Sequence, residues 1–276
     1  MPLLFRLFSC VPLWLLHAVG WLLGWLAFGL SPTYRQRFVA NAALAGYPLS
    51  QVRGAVGHAG RMVAELPRLW LGAPLRCEWD NEASVDKAYA AGRGIVFLTP
   101  HMGCFEISAQ GLADRYGQQY GPLTVLYRPA RQAWLARVMA SARSRPGLNA
   151  VPTNLAGVRQ MMRALRKGEA VGLLPDQVPP EGMGQWAPFF GRDAYTMTLA
   201  ARLVQQTGAA VLLLWGERLP MGRGFRLHFR ELAPVLADDL DAAVMQINQA
   251  MEQLIRECPQ QYLWGYARYK QPRPEK

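Results

Sequence analysis

The longest apolar stretch of the chain lies near its amino terminus. Residues 7–30 read LFSCVPLWLLHAVGWLLGWLAFGL, without one Asp, Glu, Lys or Arg. As a helix such a run extends about 36 Å at ~1.5 Å per residue, enough to cross a bilayer core of roughly 30 Å. Pro12 trims the expected helix to residues 13–30. Trp14, Trp21 and Trp25 are spaced seven and four apart and share one helical face, which suits an in-plane amphipathic helix as well as a span. A cleaved signal peptide fits less well, because the run is long and its cleavage site poor. A buried core hairpin is the remaining alternative. Arg35 and Arg37 follow directly and favour a cytoplasmic continuation. The expected division is a hydrophobic membrane anchor over residues 1–32 and one domain over 33–276.

Beyond the anchor the period changes. Residues 33–45 and 49–71 read as helices, punctuated by Pro48 and by Gly72, Ala73 and Pro74. Short apolar runs then alternate with helical stretches. GIVFLTP (94–100), LTVLYR (123–128) and AVGLLP (170–175) read as strands, the first and last of them buried. Helices are expected over 104–117, 131–145, 155–167 and 197–207. Residues 209–219 and 224–232 read as a hairpin, and 238–256 as a final amphipathic helix. Residues 176–195, rich in Pro, Gly and aromatics, read as a loop. This alternation predicts an α/β fold with a mostly parallel sheet flanked by helices.

Composition narrows the class. Of 276 residues, 51% are hydrophobic and 18% charged, and the formal net charge is +11. That excludes a disordered tail protein and points to anionic partners: nucleic acid, anionic lipid or phosphorylated substrates. Nine Trp tilt the choice toward lipid, and the chain has no DNA- or RNA-reading motif. Cys10, Cys77, Cys104 and Cys258 are scattered, with no CxxC and no zinc-ligand spacing. They read as free thiols in a reducing compartment, and no structural metal is expected.

Candidate chemistry gathers after the first buried strand, in TPHMGCFEIS (99–108). His101 stands at a strand's carboxyl end, where α/β sheets place their sites. Gly103 permits a tight turn, and Glu106 then falls in the first turn of the next helix. From there a carboxylate can orient the imidazole and leave its other nitrogen as a general base. No enzyme nucleophile is needed, since a substrate hydroxyl can attack. The competing reading is a helix-capping His beside a Glu that serves the helix dipole. Asp176 directly follows the strand at 170–175 and is expected to face His101. Phe189 and Phe190, with Trp186, could line an acyl-chain groove, dip into lipid, or pack a loop. Arg159, Arg163 and Arg166 share a helical face. Arg128, Arg131, Arg137, Arg143 and Arg145 crowd another segment, as phosphate or carboxylate binding would want and as a solvated face would also show. His17, His58 and His228 read as structural. There is no GxSxG, P-loop or GxGxxG.

These strings resemble a known family. TPHMGCFEIS, VLYRPAR (125–131), GLLPDQ (172–177), APFFGRDAYTMTLAARLVQQTGA (187–209) and PQQYLWGYARYK (259–270) are similar to the bacterial late acyltransferases of lipid A biosynthesis, within the lysophospholipid acyltransferase superfamily. The resemblance implies an inner-membrane enzyme with its site at the cytoplasmic face. Such an enzyme moves a fatty acyl chain from acyl carrier protein to a hydroxyl of a phosphorylated lipid A precursor. It uses no metal or organic cofactor, because the thioester is already activated, and nucleic acid is not a partner. Carried over, His101 is the general base and Glu106 its orienting carboxylate. Asp176, Arg128 and Arg143 serve substrate binding, with Phe189 and Phe190. Many superfamily members carry Asp where this chain has Glu106; Glu is one methylene longer and can reach the same imidazole. Two alternatives stay open: an acyltransferase for another lipid acceptor (a lysophospholipid or aminolipid), and a non-catalytic membrane lipid-binding protein.

Overall fold

The computed structural model describes residues 2–127, 132, 134, 136, 139 and 145–274. Most of the helix expected over 131–145, and with it Arg128, Arg131, Arg137 and Arg143, lies outside the described residues.

The sheet is built from β1 (Cys77–Asp80), β2 (Ile95–Leu98), β3 (Leu123–Tyr127), β4 (Leu148–Pro152), β5 (Ala170–Leu173), β8 (Ala210–Arg218) and β9 (Phe225–Glu231), in the order β1-β9-β8-β2-β5-β3-β4. Strands β8, β2, β5, β3 and β4 run parallel; β9 turns back antiparallel on β8, and β1 follows β9. The mostly parallel α/β sheet read from the sequence is therefore the observed architecture. In β2, successive side chains divide between the two faces. Ile95 and Phe97 join one core cluster, Val96 and Leu98 the other, as period-two geometry demands of a strand covered on both sides. β9 is covered on one face only: Phe225, Leu227 and Phe229 are buried, while Arg226, His228 and Arg230 face outward. His228 bonds Asp80 and Glu217 at 2.9 and 3.0 Å and stacks on Trp215, a structural role as expected.

Helices α7 (Glu82–Ala90), α8 (Phe105–Tyr120), α9 (Leu155–Arg166), α10 (Leu199–Thr207) and α11 (Leu240–Glu257) flank the sheet. Three features escaped sequence reading. β1 with α7, and β4, are short and only half buried, so their apolar pattern is faint. Within the expected loop 176–195, β6 (Gly184–Phe189) pairs with β7 (Arg192–Met197) through a two-residue turn. Phe190 and Gly191 have φ of 48° and 75° there, the left-handed pair that a tight hairpin turn needs. Phe190 tolerates it because Glu252 accepts its N–H at 2.7 Å.

The amino-terminal helices form a layer of their own. α1 (Pro2–Ser9), α2 (Leu13–Leu30) and α3 (Pro32–Leu44) precede α4 (Leu49–Val52), α5 (Gly54–Ala64) and α6 (Leu66–Leu71). The last three replace the single helix expected over 49–71. Pro67 cannot continue the hydrogen-bond ladder, so α6 starts afresh at Glu65. α2 docks on α5 along a seam of glycines. A Cβ on Gly60 would lie 1.9 Å from Gly20 O, and one on Gly24 2.2 Å from Val56 O. Small residues let the two backbones touch. The buried stripe of α2 is Leu13, Leu16, His17, Gly20, Gly24 and Phe28. Its other face exposes Trp14, Leu15, Val19, Leu22, Leu23, Leu26 and Leu30. Trp21 and Trp25 turn inward, toward His58 and Phe28.

Beneath this layer lies a buried charge network. Arg218, on β8, donates to Glu65 through Nε and Nη2 at 2.7–3.1 Å, and His17 Nε2 reaches the same carboxylate at 2.9 Å. Burial alone would raise the Glu65 carboxyl, but the Arg218 charge and the hydrogen bonds hold it down at about 2. Burial, with the Arg218 and Arg61 charges, pushes His58 down to about 2, so it sits neutral.

Candidate active site

The site follows from strand register. β2 and β5 are parallel neighbours with Leu98 opposite Leu173. His101 and Asp176 each lie three residues past those partners, so the two loops deliver them to one point at the carboxyl edge of the sheet. His101 Nδ1 lies 2.7 Å from Asp176 Oδ1, and the His101 backbone N–H donates to Asp176 Oδ2 at 2.9 Å. Both oxygens thus hold one residue, fixing the position and rotation of the ring. Asp176 is 1% exposed. Burial alone would raise its carboxyl, but the charge and hydrogen bonds of His101 carry it below the ordinary range. With Nδ1 engaged by a carboxylate, Nε2 is the nitrogen left to handle a substrate proton.

The turn after His101 is tight. Gly103 has φ +56°, and a Cβ there would stand 1.9 Å from Gly216 O, so glycine alone fits. The approach lets the Cys104 N–H donate to Gly216 O at 2.7 Å and starts α8. Glu106 sits in the first turn of that helix. Spacing pointed to Glu106 as the carboxylate on the imidazole. In the structure the carboxylate on Nδ1 is that of Asp176, while Glu106 Oε2 accepts from the Trp70 indole at 3.2 Å. The helical start at Phe105 directs Glu106 toward α6, and Phe105 itself packs edge-on against the His101 ring.

His101 and Glu106 open on a cavity of about 220 Å³. Its walls are mainly apolar, including Phe105, Ala109, Val125, Leu126, Leu148 and Leu174. Such a wall suits an alkyl chain beside a polar reacting end. A larger cavity, about 380 Å³, opens at the other end of the sheet near Lys87 and Arg93, and no His or Cys lines it. It is roomier, but among the described residues it holds no His paired with a buried carboxylate, which makes the smaller one the candidate site.

Phe189 and Phe190 do not line the cavity beside His101. They are buried in the core, with Phe190 against Trp264. Arg159, Arg163 and Arg166 lie on α9. Arg128 and Arg143, the expected substrate-binding arginines, lie outside the described residues. Sequence reading gave no role to Trp70, which donates to Glu106 from α6, or to Tyr262, which pairs with Met102 from the carboxyl-terminal segment. Only the string YLWGYARYK (262–270) marked the latter.

The chain is 27% identical over 206 residues to the lipid A biosynthesis palmitoleoyltransferase of Escherichia coli K12, covering 73% of this chain and 64% of that protein. It is 29% identical over 189 residues to the lipid A biosynthesis lauroyltransferase of the same organism, covering 67% and 59%. A lipid A biosynthesis acyltransferase of Haemophilus influenzae is 23% identical, over 68% of this chain and 58% of its own. The chain thus spans less than two thirds of the length of these relatives. The family described as bacterial lipid A biosynthesis acyltransferase matches residues 52–271, a range that contains His101, Glu106 and Asp176, and the chain belongs to that family.

Proposed function

We propose that this protein transfers a fatty acyl chain from the thioester of acyl carrier protein to a hydroxyl of a lipid A precursor. The observation that carries the reading is the 2.7 Å pairing of His101 with a buried Asp176 at the mouth of an apolar cavity. His101 Nε2 takes the proton from the acceptor hydroxyl as its oxygen attacks the thioester carbonyl. The tetrahedral intermediate carries an oxyanion, which first-turn N–H groups of α8 stabilise. The C–S bond then breaks, the sulfur takes the proton from His101, and the ester remains. Asp176 holds the imidazolium through the step. Glu106 forms the acidic wall of the cavity beside the base. Arg128 and Arg143 are proposed for the acceptor's phosphates, and the net charge of +11 suits both that acceptor and an acidic carrier protein.

The test is a purified transfer assay with an acyl carrier protein thioester and lipid A precursor. One added acyl mass is expected from the wild type and none from His101→Ala. Equal rates for the two would end the proposal. A wild type that acylates only a lysophospholipid or an aminolipid would move the acceptor.

The proposal places the protein on the cytoplasmic face of the bacterial inner membrane, with residues 1–32 as the anchor and 33–276 as the acyltransferase domain. Support comes from α2, an 18-residue helix of mean hydropathy 1.7, whose outward face is apolar and flanked by the exposed Arg6, Arg35 and Arg37. The packing favours a helix lying in the interface. The Arg61 guanidinium stacks 4.6 Å over Trp21, at the middle of α2, and Arg61 Nε donates to His17 O. If α2 crossed the bilayer as packed here, that charge would sit near its centre, at a cost of several kcal/mol. Leu22→Asp with Leu26→Asp, both on the exposed face, is expected to abolish flotation with anionic vesicles while thermal unfolding stays near wild type. Undiminished flotation would refute this mode of attachment.

A further inference from the structure

The β8–β9 hairpin ends in a turn whose sequence conflicts with its conformation. Met221 and Gly222 have φ of 57° and 68°, and the Arg223 N–H closes the turn on Pro220 O at 3.3 Å. Two left-handed residues in succession favour Asn-Gly or Asp-Gly, because most L side chains crowd the backbone there. This chain places methionine first. Phe190 takes the same conformation in the β6–β7 turn, but it is buried and held by Glu252. Met221 is 86% exposed, so the fold gives its side chain nothing in return for the strained backbone. Strain that local propensity opposes and internal packing does not explain marks a position used by something outside the chain.

The surroundings of the turn say what that is. A Cβ on Gly222 would stand 2.5 Å from Trp14 N, so the tip rests against the first turn of α2. Trp14 is 57% exposed, and Leu15 beside it is exposed too, at the start of the apolar outer face of α2. Leu7 and Phe8, in the last turn of α1, are exposed just ahead of it. Met221 thus continues an apolar surface that already runs along α2. Arg223 is exposed next to it; its Nε donates to Pro220 O at 3.4 Å, and it pairs with no carboxylate among the described residues. Exposed Met and Trp beside a free arginine suit a lipid surface: the apolar groups enter the acyl boundary while the cation stays with headgroup phosphates. The direction also fits. β8 runs parallel to β2 with Leu98 opposite Leu213, then continues past the end of β2 to Arg218. The hairpin therefore projects from the edge of the sheet that carries His101, and Gly103 bridges Gly216 on the way.

We infer that the β8–β9 turn is a second lipid contact, with Met221 inserted into the interface of an anionic bilayer beside Trp14 and Arg223 on the headgroup phosphates. It extends the attachment proposed above for α2 and rests on that reading for where the membrane lies. A single helix in the interface leaves the rest of the molecule free to roll about the helix axis. A contact beside the helix stops the roll and fixes the direction in which the His101 edge of the sheet faces. A membrane-borne acceptor then meets the base in one orientation, without a search through the others.

The experiment floats the full chain with vesicles of phosphatidylglycerol and phosphatidylethanolamine, and separately with phosphatidylcholine vesicles. The proteins are wild type, Met221→Asn, Met221→Leu, Arg223→Gln and the Leu22→Asp, Leu26→Asp double variant. Thermal unfolding and lipid-free size-exclusion chromatography accompany each. Met221→Asn separates binding from folding, because it removes the apolar side chain and installs a residue that the turn prefers. Its partition into the anionic vesicles should fall about tenfold, while it unfolds at or above the wild-type temperature. Met221→Leu keeps the apolar side chain and should bind as wild type does. Arg223→Gln should lower partition into the anionic vesicles roughly fivefold and leave phosphatidylcholine unaffected. Wild-type binding by Met221→Asn, beside a double variant that no longer floats, would overturn the second contact and leave the α2 attachment standing. Weak binding by Met221→Asn beside a double variant that floats normally would do the reverse. A wild type that floats with neither vesicle would end both. A lipid-free dimer that Met221→Asn abolishes, with partition unchanged, would give the tip to a second copy of the chain and overturn the inference.

Discussion

Asp176→Asn is expected to lower kcat/KM by about 10³–10⁴-fold with the fold intact, as judged by unchanged circular dichroism. The substitution keeps the size and shape of a side chain that is 1% exposed. It removes the negative charge that accepts from Nδ1 at 2.7 Å. An amide there can offer its NH₂ to the ring, which selects the tautomer with the proton on Nε2. That tautomer cannot accept a substrate proton, and the imidazolium loses its counter-charge; losses of this order follow when the carboxylate behind a catalytic His is made neutral. Glu106→Gln is the control on the neighbouring wall. Glu106 bonds the Trp70 indole, so its loss should cost far less than that of Asp176. A larger effect at Glu106 than at Asp176 would return the orienting role to the residue that spacing alone suggested. Transfer kinetics on the purified variants decide between them.

The second large effect concerns stability. Glu65→Ala is expected to destabilise the protein by about 3–5 kcal/mol, because it leaves the Arg218 guanidinium buried and unpaired. For a chain of this size that corresponds to a fall of roughly 10 °C in Tm. Both side chains are 1% exposed, with an N···O distance of 2.7 Å, so solvent can neither screen the pair nor replace the lost partner. The same pair sets an acid limit. Glu65 is held at about 2 in the folded chain, against an ordinary value of 4.5. Its contribution is complete above that ordinary value and disappears as pH falls from there toward 2. Thermal unfolding followed from pH 6 downward should show wild type losing stability through that window, with Glu65→Ala flatter across it. Parallel curves would assign the acid loss to other carboxylates.

Much of the architecture was legible in the sequence because local pattern and tertiary burial agree there. The apolar runs at 94–100 and 170–175 are central strands covered on both faces, and nothing but burial explains such runs. The hairpin β8–β9 and helix α11 were marked by alternation, turn residues and helical period. What stayed hidden was set by partners distant in sequence. β1 takes its place only by pairing with β9, some 150 residues on, and its own four residues are half exposed. Phe190 in a left-handed turn was unreadable because Glu252 stabilises it. The site was partly legible for the same reason. A His beyond a buried strand is a local signal, and Asp176 beyond a second strand is another. The choice between Glu106 and Asp176 was not local. It depends on β2 and β5 being adjacent and in register, which places residues 75 positions apart within 2.7 Å. Tyr262 lies still further along the chain, and only folding pairs it with Met102, next to His101.

The most direct measurement of the central claim is the lipid A of the source bacterium. Mass spectrometry should compare a strain deleted for this gene with the same strain carrying wild type or His101→Ala. The account predicts lipid A lighter by one acyl chain in the deletion, restored by wild type and not by His101→Ala expressed at an equal level. Lipid A of unchanged mass in the deletion, with no second enzyme supplying the chain, or full restoration by His101→Ala, would contradict it.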